Sequence, residues 1–369
     1  MNHLIYTTFG EQRGSVYATQ VIQLLNYWSK RENWKVTLIQ IADVFCFDEL
    51  ESEVDRIYIK RDFKLLLAVH KNRYVKLIKK QLLINNNDDL YFNSRGGSAY
   101  SIASCFIKSY DFKYKCNNLD IRGTIEELKI SKTRWFFYPF FKLRLNLTLK
   151  NASSITTVTS NLRDQILENK NLINNNIKIK VVPTLSILQY KPSKSKKNIA
   201  YIGQIAWITP KDFVAQILKL NKLFLKNNWI ISIIGNSSGT FGLEKHDIVF
   251  VERMSPQELN EKINDYHTGL VLRNSSIINR VAAPCKISDY LCLGMPIIYS
   301  GEIGSIKDFK NLFPECSKYI KHIDELNIQD DIDKHIEIDH EDMMALSEKA
   351  KSYFGVNSVI DSYISFFKI

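Results

Sequence analysis

Short apolar stretches alternate with longer amphipathic stretches along this chain, and the alternation restricts its fold more than any other feature of the sequence. Short apolar runs bounded by turn residues are typical of buried strands, whereas the longer stretches carry apolar residues at helical spacing. Strands that alternate with helices form a parallel sheet covered by helices on both faces. The sequence therefore predicts an α/β fold.

The alternation pauses once, at residues 184–198, where Pro192 and a lysine–serine run interrupt it. This segment is polar and aperiodic, as expected of a linker. It separates two predicted doubly wound, Rossmann-like domains, residues 1–183 and 199–355, which we expect to face each other across a cleft. Residues 356–369 are amphipathic, and we predict a C-terminal helix that crosses back to the first domain.

The formal net charge of +11 indicates an anionic partner, such as a nucleotide, a phospholipid surface or a nucleic acid. The chain has no recognisable RNA- or DNA-binding motif and its basic residues are widely spread, so we predict no nucleic acid partner. Its six cysteines form no C-x-x-C pair, and its first residues predict a strand instead of a signal peptide. No apolar run approaches the roughly 20 residues that span a bilayer. We expect a reduced, cytoplasmic protein.

The strongest functional signal lies at residues 284–298. A proline opens a short helix there, Lys286 and Asp289 lie three residues apart on one face of it, Gly294 closes it, and Pro296 leads into a buried strand. The start of such a helix can hold a diphosphate through its backbone N–H groups and its dipole, Lys286 adds a full charge, and Asp289 can accept hydrogen bonds from a ribose. The segment predicts a nucleotide-sugar site. The alternative is an ordinary buried helix and strand with a solvated lysine.

Several other residues are candidates for the same ligand. Gly203 follows the first strand of the second domain, and Lys211 lies at a helix start, where a lysine is unfavourable unless an anion is present. Arg273 and Arg280 flank the segment that precedes residue 284, and both could equally be surface charges. In the first domain Gly14 lies in the turn after the first strand, where small residues let the backbone approach a ligand. Ordinary turn chemistry also explains that glycine.

A cluster of charged residues in the first domain is the candidate catalytic site. Asp120, Arg122, Glu126 and Glu127 follow a strand-like stretch at residues 112–114, which places three carboxylates and a guanidinium near one strand end. There they could orient hydroxyl groups or take a proton from an attacking hydroxyl. The alternative is an internal salt-bridge cluster. The candidates for the acceptor or the cleft are Arg95 and Glu127.

With these residues, the chain resembles the GT-B glycosyltransferases of the family 4 type over most of its length. In the second half the matching residues are Tyr201-Ile202-Gly203, the strand at 231–235, the helix at 255–266, Pro284, Lys286, Asp289-Tyr290-Leu291, Gly294 and Pro296-Ile297-Ile298. In the first half the similar residues are Gly14, Asp120-Ile121-Arg122-Gly123, Glu126, Glu127, Thr157-Val158-Thr159-Ser160 and Val182-Pro183.

The resemblance implies that the second domain binds a nucleotide-sugar donor, that the first binds an acceptor, and that transfer usually retains the anomeric configuration. It implies neither a metal nor another cofactor. By the same likeness Lys286 binds the donor phosphates, Asp289 binds the ribose, and Gly14 lies on the sugar-phosphate side of the cleft.

The sequence departs from the family pattern at two points. Family members often carry two acids separated by seven residues, but Val281 occupies the first of these positions and Asp289, a shorter acid, the second. Gln204 stands where an arginine is common, which leaves Lys211, Arg273 or Lys286 to neutralise the diphosphate. The sequence therefore does not identify the residues that contact the donor sugar.

Two basic segments are candidates for contact with a membrane. Residues 60–83 predict a helix with one apolar stripe and lysines mostly elsewhere, and residues 132–144 place six aromatic residues among Arg134, Lys142 and Arg144. The alternative for each is a stripe that packs into the core. A lipid-linked acceptor would favour peripheral contact with an anionic membrane.

Our leading hypothesis is a metal-independent hexosyltransferase that builds a bacterial-type surface polysaccharide, such as an O-antigen or a capsule, on a lipid-linked oligosaccharide acceptor at the inner face of the cell membrane. A nucleotide-sugar 2-epimerase with the same two-domain architecture is the alternative, because it would interconvert the donor without an acceptor. A third hypothesis is a basic nucleic-acid-binding protein. Steeply salt-dependent binding of random oligonucleotides would support that hypothesis.

Overall fold

The computed structural model describes residues 1–11, 14–44, 49–61, 67–129, 135–168, 173, 177–190, 197–203, 205, 207–235, 239–252, 254, 256–326 and 338–368. These residues form two compact units. Unit 1 comprises Met1–Leu185 and Val356–Ile369, and unit 2 comprises Ser186–Gly355.

Unit 1 contains a seven-stranded parallel sheet. Its strands are β1 (Asn2–Phe9), β2 (Trp34–Ala42), β3 (Val54–Lys60), β4 (Asp89–Arg95), β5 (Cys116–Ile121), β6 (Ser154–Thr157) and β7 (Lys178–Val181). They lie in the order β3-β2-β1-β4-β5-β6-β7. The direction of winding reverses between β1 and β4, which makes the carboxyl ends of these two strands the place where a sheet of this kind binds ligands.

Helices cover both faces of this sheet. They are α1 (Ser15–Tyr17), a π-helical stretch (Ala18–Gln23), α2 (Leu24–Ser29), α3 (Leu67–Gln81), α4 (Gly96–Tyr110), a 3-10 helix (Ile125–Lys129), α5 (Tyr138–Asn151) and α6 (Ser160–Glu168). Apolar residues recur at helical spacing in α3 and α4, and those of the described part pack towards the sheet. Tyr74 and Ile78 of α3 pack there with Phe106 of α4 and with Ile5 and Phe92 of the sheet.

Unit 2 contains a six-stranded parallel sheet. Its strands are β8 (Asn198–Ile202), β9 (Ile230–Ile234), β10 (Val249–Val251), β11 (Thr268–Val271), β12 (Ile297–Tyr299) and β13 (Ile320–His322). They lie in the order β10-β9-β8-β11-β12-β13, so the winding reverses between β8 and β11. The inner strands β8, β9, β11 and β12 are largely buried and consist mostly of apolar residues, whereas the edge strands β10 and β13 are partly exposed.

Several helices of unit 2 begin or end at residues with recognisable capping chemistry. They are α7 (Pro210–Phe224), α8 (Pro256–Lys262), α9 (Ile277–Val281), α10 (Cys285–Cys292), α11 (Gly304–Leu312) and α12 (His340–Phe354). Thr209 caps α7 and Ser276 caps α9, each through a side-chain oxygen that accepts a backbone N–H. Gly294 ends α10 in the left-handed region, where a Cβ atom would collide with the carbonyl of Met343.

The last helix, α13 (Val356–Phe367), belongs to unit 1. Its aromatic residues Tyr363 and Phe367 pack on Trp28 of α2, with ring centroids 5.7 and 6.0 Å from that of Trp28. Lys180 at the end of the sheet donates hydrogen bonds to the carbonyl of Ser362 and to the hydroxyl of Ser365. No helix in the described ranges is long and apolar enough to cross a membrane.

The predicted α/β architecture with two doubly wound sheets is confirmed. The strand predicted at residues 112–114 is wrong, because β5 lies at Cys116–Ile121. The sequence hides this strand because Asn118 and Asp120 are polar yet fully buried. Asn118 donates hydrogen bonds to Asn93 and Thr156 on the neighbouring strands, so polar residues replace the apolar run that would mark a buried strand.

Candidate functional site

The candidate site of unit 2 lies where β8 and β11 end. Gly203 follows β8 with a φ of +98°, a conformation that favours glycine, and its N–H donates to the carbonyl of Ile234 over 2.8 Å. A Cβ atom on Gly203 would lie 4.0 Å from Nζ of Lys286. The tight turn after β8 therefore brings backbone close to the ammonium group that the sequence predicts to bind phosphate.

A tyrosine fixes the helix that carries this lysine. The hydroxyl of Tyr290 in α10 donates to the carbonyl of Ala200 and accepts the N–H of Ile202, both over 3.2 Å. Its ring lies so close to β11 that any Cβ atom at Gly269 would overlap it. These contacts hold α10 against the carboxyl ends of β8 and β11, and they thereby position Lys286.

Lys286 is a half-buried cation that has no acidic partner among the described residues. Its Nζ atom lies 4.4 Å from the centroid of the Tyr201 ring, and no carboxylate in the described part of the chain pairs with it. Burial, with a smaller contribution from the positive charge of Arg273, lowers the pKa of Lys286 to about 7. An anion bound beside Lys286 would offset both effects. The arrangement is therefore suited to a phosphate group.

Arg273, which follows β11, is held in place by several contacts. It is buried, its Nη1 atom donates to Oδ1 of Asn279 over 2.7 Å, and its guanidinium lies 5.4 Å from the Trp207 ring centroid. Its backbone N–H donates to the hydroxyl of Ser300 over 2.9 Å. A guanidinium held in this way can meet an anion without losing side-chain freedom.

Asn279 is the residue that sequence reasoning missed. It is 2% exposed, and its amide nitrogen donates to the carbonyls of Trp207 and Asn274, over 3.3 and 2.7 Å. Asn279 thus joins the loop after β8, the loop after β11 and the guanidinium of Arg273. The only local signal is Ser276, an N-cap that predicts the start of α9 without indicating where the amide points.

Asp289 lies one turn after Lys286 on α10. Its Oδ1 atom accepts a hydrogen bond from the hydroxyl of Ser186 over 2.7 Å, and the N–H of Ser186 in turn donates to the carbonyl of Phe354. Burial raises the pKa of Asp289 to about 7, although the bond from Ser186 opposes that shift. The carboxyl group is therefore held in one orientation, but its negative charge is poorly stabilised. An additional hydroxyl donor would stabilise the charged form.

The other predicted donor residues of unit 2 are more exposed. Lys211 lies on the surface in the first turn of α7, at the same edge of the sheet as Gly203. Arg280 pairs with Glu302 over 2.7 Å on the surface, as expected of the rim charge that was its alternative interpretation. Arg273 also lines a cavity of about 340 Å³, together with Ser300, His322 and Asp324, and the lining of this cavity does not include Lys286 or Asp289.

In unit 1, Gly14 and Arg95 lie at the carboxyl ends of the two central strands. Gly14 precedes α1, and a Cβ atom there would meet open space. Arg95 is the N-cap residue of α4 and donates from Nε to Oε1 of Glu11 over 2.6 Å. Its Nη1 atom is buried and has no hydrogen-bond partner among the described residues. Both residues thus flank the point at which unit 1 would bind a ligand.

Asp120 and Arg122 form a buried ion pair. Oδ1 of Asp120 accepts from Thr156 over 2.9 Å and Oδ2 accepts from Nε of Arg122 over 2.8 Å. Nη1 of Arg122 lies 3.3 Å from the carbonyls of both Val182 and Pro183, and Nη2 donates to the hydroxyl of Tyr363. All these partners are internal, which favours the salt-bridge interpretation of the pair over a role in proton transfer.

Glu126 and Glu127 lie on the 3-10 helix after β5 and have other partners. Glu126 accepts a hydrogen bond from the hydroxyl of Tyr138 over 2.7 Å and pairs with Lys129 over 2.5 Å. The carboxylate of Glu127 lies over Gly123, where a Cβ atom would collide with it. The structure therefore separates the predicted cluster into a buried pair, Asp120 and Arg122, and two carboxylates nearer the surface, the half-buried Glu126 and the exposed Glu127.

No group of three histidine, cysteine, aspartate or glutamate side chains within the described ranges is placed to hold a metal ion.

Comparison with known proteins identifies the fold. No family model matches the chain, and no curated protein matches it. Among solved structures, the chain is similar to a glycosyltransferase from Rickettsia africae ESF-5, with a TM-score of 0.68, 14% identity and coverage of 100% of this chain and 98% of that chain.

Two further structures are similar over almost their full length. The apo lipopolysaccharide outer core galactosyltransferase WaaB has a TM-score of 0.63 and 13% identity, with 99% of this chain and 98% of that chain covered. A trehalose-6-phosphate structure from E. coli, bound with UDP-2-fluoro glucose, has a TM-score of 0.63 and 10% identity, with 99% of both chains covered. Identities this low show the fold alone, and the predicted GT-B architecture of two Rossmann-like domains is confirmed.

Proposed function

We propose that the protein is a GT-B glycosyltransferase of the family 4 type, which transfers a hexose from a nucleotide-sugar donor, with retention, to a growing lipid-linked oligosaccharide. The observation that carries the proposal is the ammonium of Lys286, which is half-buried at the start of α10, lies near Arg273 and has no carboxylate partner in the described part of the chain. Two cations at the switch point of a parallel sheet are suited to a diphosphate. The glycosyltransferases among the structural neighbours support the same activity.

The donor would bind along the edge of unit 2. In this proposal Lys286 and Arg273 neutralise the diphosphate, which carries the developing charge when the bond to the sugar breaks. The turn at Gly203 lets the diphosphate approach the backbone, and the N-termini of α7 and α10, with Lys211 on α7, add positive potential. Asp289 accepts a hydrogen bond from a ribose hydroxyl.

The acceptor would bind at the carboxyl edge of the unit 1 sheet, close to Gly14, Arg95 and Glu127. Glu126 is the best placed of the catalytic candidates to contact a hydroxyl, since it is half-buried and close to the surface. Burial opposes its charge, but hydrogen bonds from Lys129 and Tyr138 hold the pKa of Glu126 below its usual value. It would therefore orient the acceptor as a carboxylate, while Asp120 and Arg122 stabilise the strand end beneath it.

The test of this function is an incubation with UDP-, GDP-, dTDP- and CMP-sugars, with and without lipid-linked acceptors. The proposal expects release of a nucleoside diphosphate and glycosylation of an acceptor, with the product's anomeric configuration equal to that of the donor. A new sugar nucleotide formed without any acceptor would instead identify the 2-epimerase. A product with the anomeric configuration opposite to that of the donor would contradict the proposed retention.

Chelation of metal ions is expected to leave transfer unchanged within about twofold. Lys286, Arg273 and the helix N-termini supply the positive charge that a bound cation would otherwise supply to the leaving diphosphate. Transfer rates measured in EDTA and then with added Mg²⁺ or Mn²⁺ check this expectation. Activity that is lost in EDTA and restored by either metal would contradict it.

Donor affinity is expected to fall as the pH rises above about 7. The pKa of free Lys286 is about 7, so above that pH the lysine must take up a proton when the diphosphate binds, and affinity can fall up to about tenfold per pH unit. Calorimetric titration with a sugar nucleotide between pH 6 and 9 measures this dependence.

The matched variant for this experiment is Lys286→Arg. An arginine keeps its charge throughout this range, so the alkaline fall should disappear. If the fall is unchanged in Lys286→Arg, another group controls the pH dependence.

A further inference from the structure

The solvent-facing side of α5 carries large apolar residues. Phe140, Leu143 and Leu147 are 52%, 60% and 54% exposed, and Trp135 and Phe136, just before α5, are 61% and 77% exposed. The three helical residues have the spacing i, i+3, i+7, which places them on one face. We call these five residues the α5 surface. A stripe of this kind normally packs into a core, but here the opposite side of the helix, with Thr148 and Leu149, is the buried one.

The two segments that the sequence indicates for membrane contact differ in how far their apolar residues are exposed. The described apolar residues of α3 are in the core, where Tyr74, Val75 and Ile78 are at most 3% exposed, and its outward side carries Lys76, Lys79 and Lys80. That helix can attract an anionic surface, but its described side offers little apolar area for insertion: Leu77 is partly buried and a single leucine after the helix, Leu83, is 77% exposed. The α5 surface presents the apolar residues that insertion requires.

The sequence that carries the α5 surface is rich in basic residues. Between Glu127 and Asp164 the sequence contains no acidic residue but seven basic ones: Lys129, Lys132, Arg134, Lys142, Arg144, Lys150 and Arg163. On α5 itself Lys142 and Lys150 are exposed. Exposed aromatic and aliphatic residues flanked by exposed lysines complement a bilayer whose headgroups are anionic and whose interior is apolar.

We propose that the α5 surface inserts into the headgroup region of an anionic lipid bilayer and is the membrane-docking surface of this protein. The position of α5 in the fold agrees with this role, because α5 connects β5 to the parallel β6 and therefore begins at the carboxyl edge of the sheet. The bond from Tyr138 to Glu126 joins its first turn to the 3-10 helix at that edge. Docking there would bring a membrane-anchored acceptor to the acceptor site, a consequence that rests on the proposed function.

Vesicle binding tests the proposal. Sedimentation of the whole protein with phosphatidylglycerol-containing vesicles is compared for the wild type and the variant Phe136→Ser/Phe140→Ser/Leu143→Ser. The three side chains are already in water, so the variant should keep its fold. It should lose about tenfold or more in vesicle affinity, because its docking no longer buries three large apolar groups. The matched control, Leu167→Ser/Leu225→Ser/Leu312→Ser, removes three exposed leucines elsewhere and should bind as the wild type does.

Three results would overturn the proposal. The first is that the wild type does not bind anionic vesicles at low salt. The second is that the α5 variant binds vesicles as tightly as the wild type. The third is that the α5 substitutions instead abolish self-association of the protein, measured by ultracentrifugation. Loss of binding on charge reversal at Lys76, Lys79 and Lys80, with full binding by the α5 variant, would assign docking to α3.

Donor binding separates this proposal from the proposed function. The α5 variant should bind a sugar nucleotide as tightly as the wild type, because its substitutions are in unit 1. If vesicle binding depends on the α5 surface but no sugar nucleotide binds to the wild type, the docking surface is supported and the proposed glycosyltransferase function is contradicted. If a sugar nucleotide binds but the protein does not bind vesicles, the proposed function is supported and the docking surface is contradicted.

Discussion

Replacement of Lys286 by alanine is expected to slow sugar transfer by about 30- to 1,000-fold while the protein stays folded. The loss corresponds to roughly 2–4 kcal/mol, the usual effect of removing one preorganised charged group from a developing negative charge. Stability should not suffer, because the ammonium has no carboxylate partner among the described residues and burial disfavours its charge. Steady-state kinetics and thermal unfolding of the same preparation measure the two effects.

A surface lysine of the same unit provides the control for this variant. Lys222 lies exposed in the last turn of α7, and Lys222→Ala should transfer sugar as the wild type does. Near-normal turnover by folded Lys286→Ala would remove Lys286 from the donor site and would leave the proposed function without its main support.

Replacement of Arg122 by alanine is expected to destabilise the protein by about 3–5 kcal/mol. The substitution leaves Asp120, which is fully buried, without its ion-pair partner, and an uncompensated buried charge has a cost of this size. It also removes the hydrogen bonds that join the end of β5 to Val182, Pro183 and Tyr363. Denaturant unfolding monitored by circular dichroism measures the change.

Two further variants separate a structural pair from a catalytic one. Arg163→Ala breaks an exposed pair with Asp164 and should change stability by less than about 1 kcal/mol. The double variant Asp120→Asn/Arg122→Met removes both charges and should recover most of the stability that Arg122→Ala loses. If Arg122→Ala is as stable as the wild type but inactive, the catalytic interpretation of this pair is correct and the salt-bridge interpretation is wrong.

The sequence predicted the features that depend on local chemistry. Proline at a helix start, glycine at a helix end and a buried strand after a second proline are properties of a few neighbouring residues, and they placed α10 and β12 correctly. The alternation of strands and helices likewise depends on local periodicity, and it was sufficient for the two parallel sheets.

Features that depend on distant partners were not predictable in this way. β5 is polar because its side chains bond across strands, and β13, which has only three residues including a lysine and a histidine, has no apolar run. The position of Asn279 between two loops depends on residues far apart in sequence. Periodicity alone also could not show that α3 buries its apolar stripe whereas α5 exposes one, because the same pattern is compatible with either packing.

Hydrogen–deuterium exchange in the presence of a sugar nucleotide shows whether the donor binds beside Lys286. We expect slower exchange of backbone amides in the turn at Gly203, in the loop after β11 and in the first turn of α10, and loss of that protection in Lys286→Ala. Protection confined to unit 1, or protection in unit 2 that is unchanged in Lys286→Ala, would contradict a donor site built around this lysine.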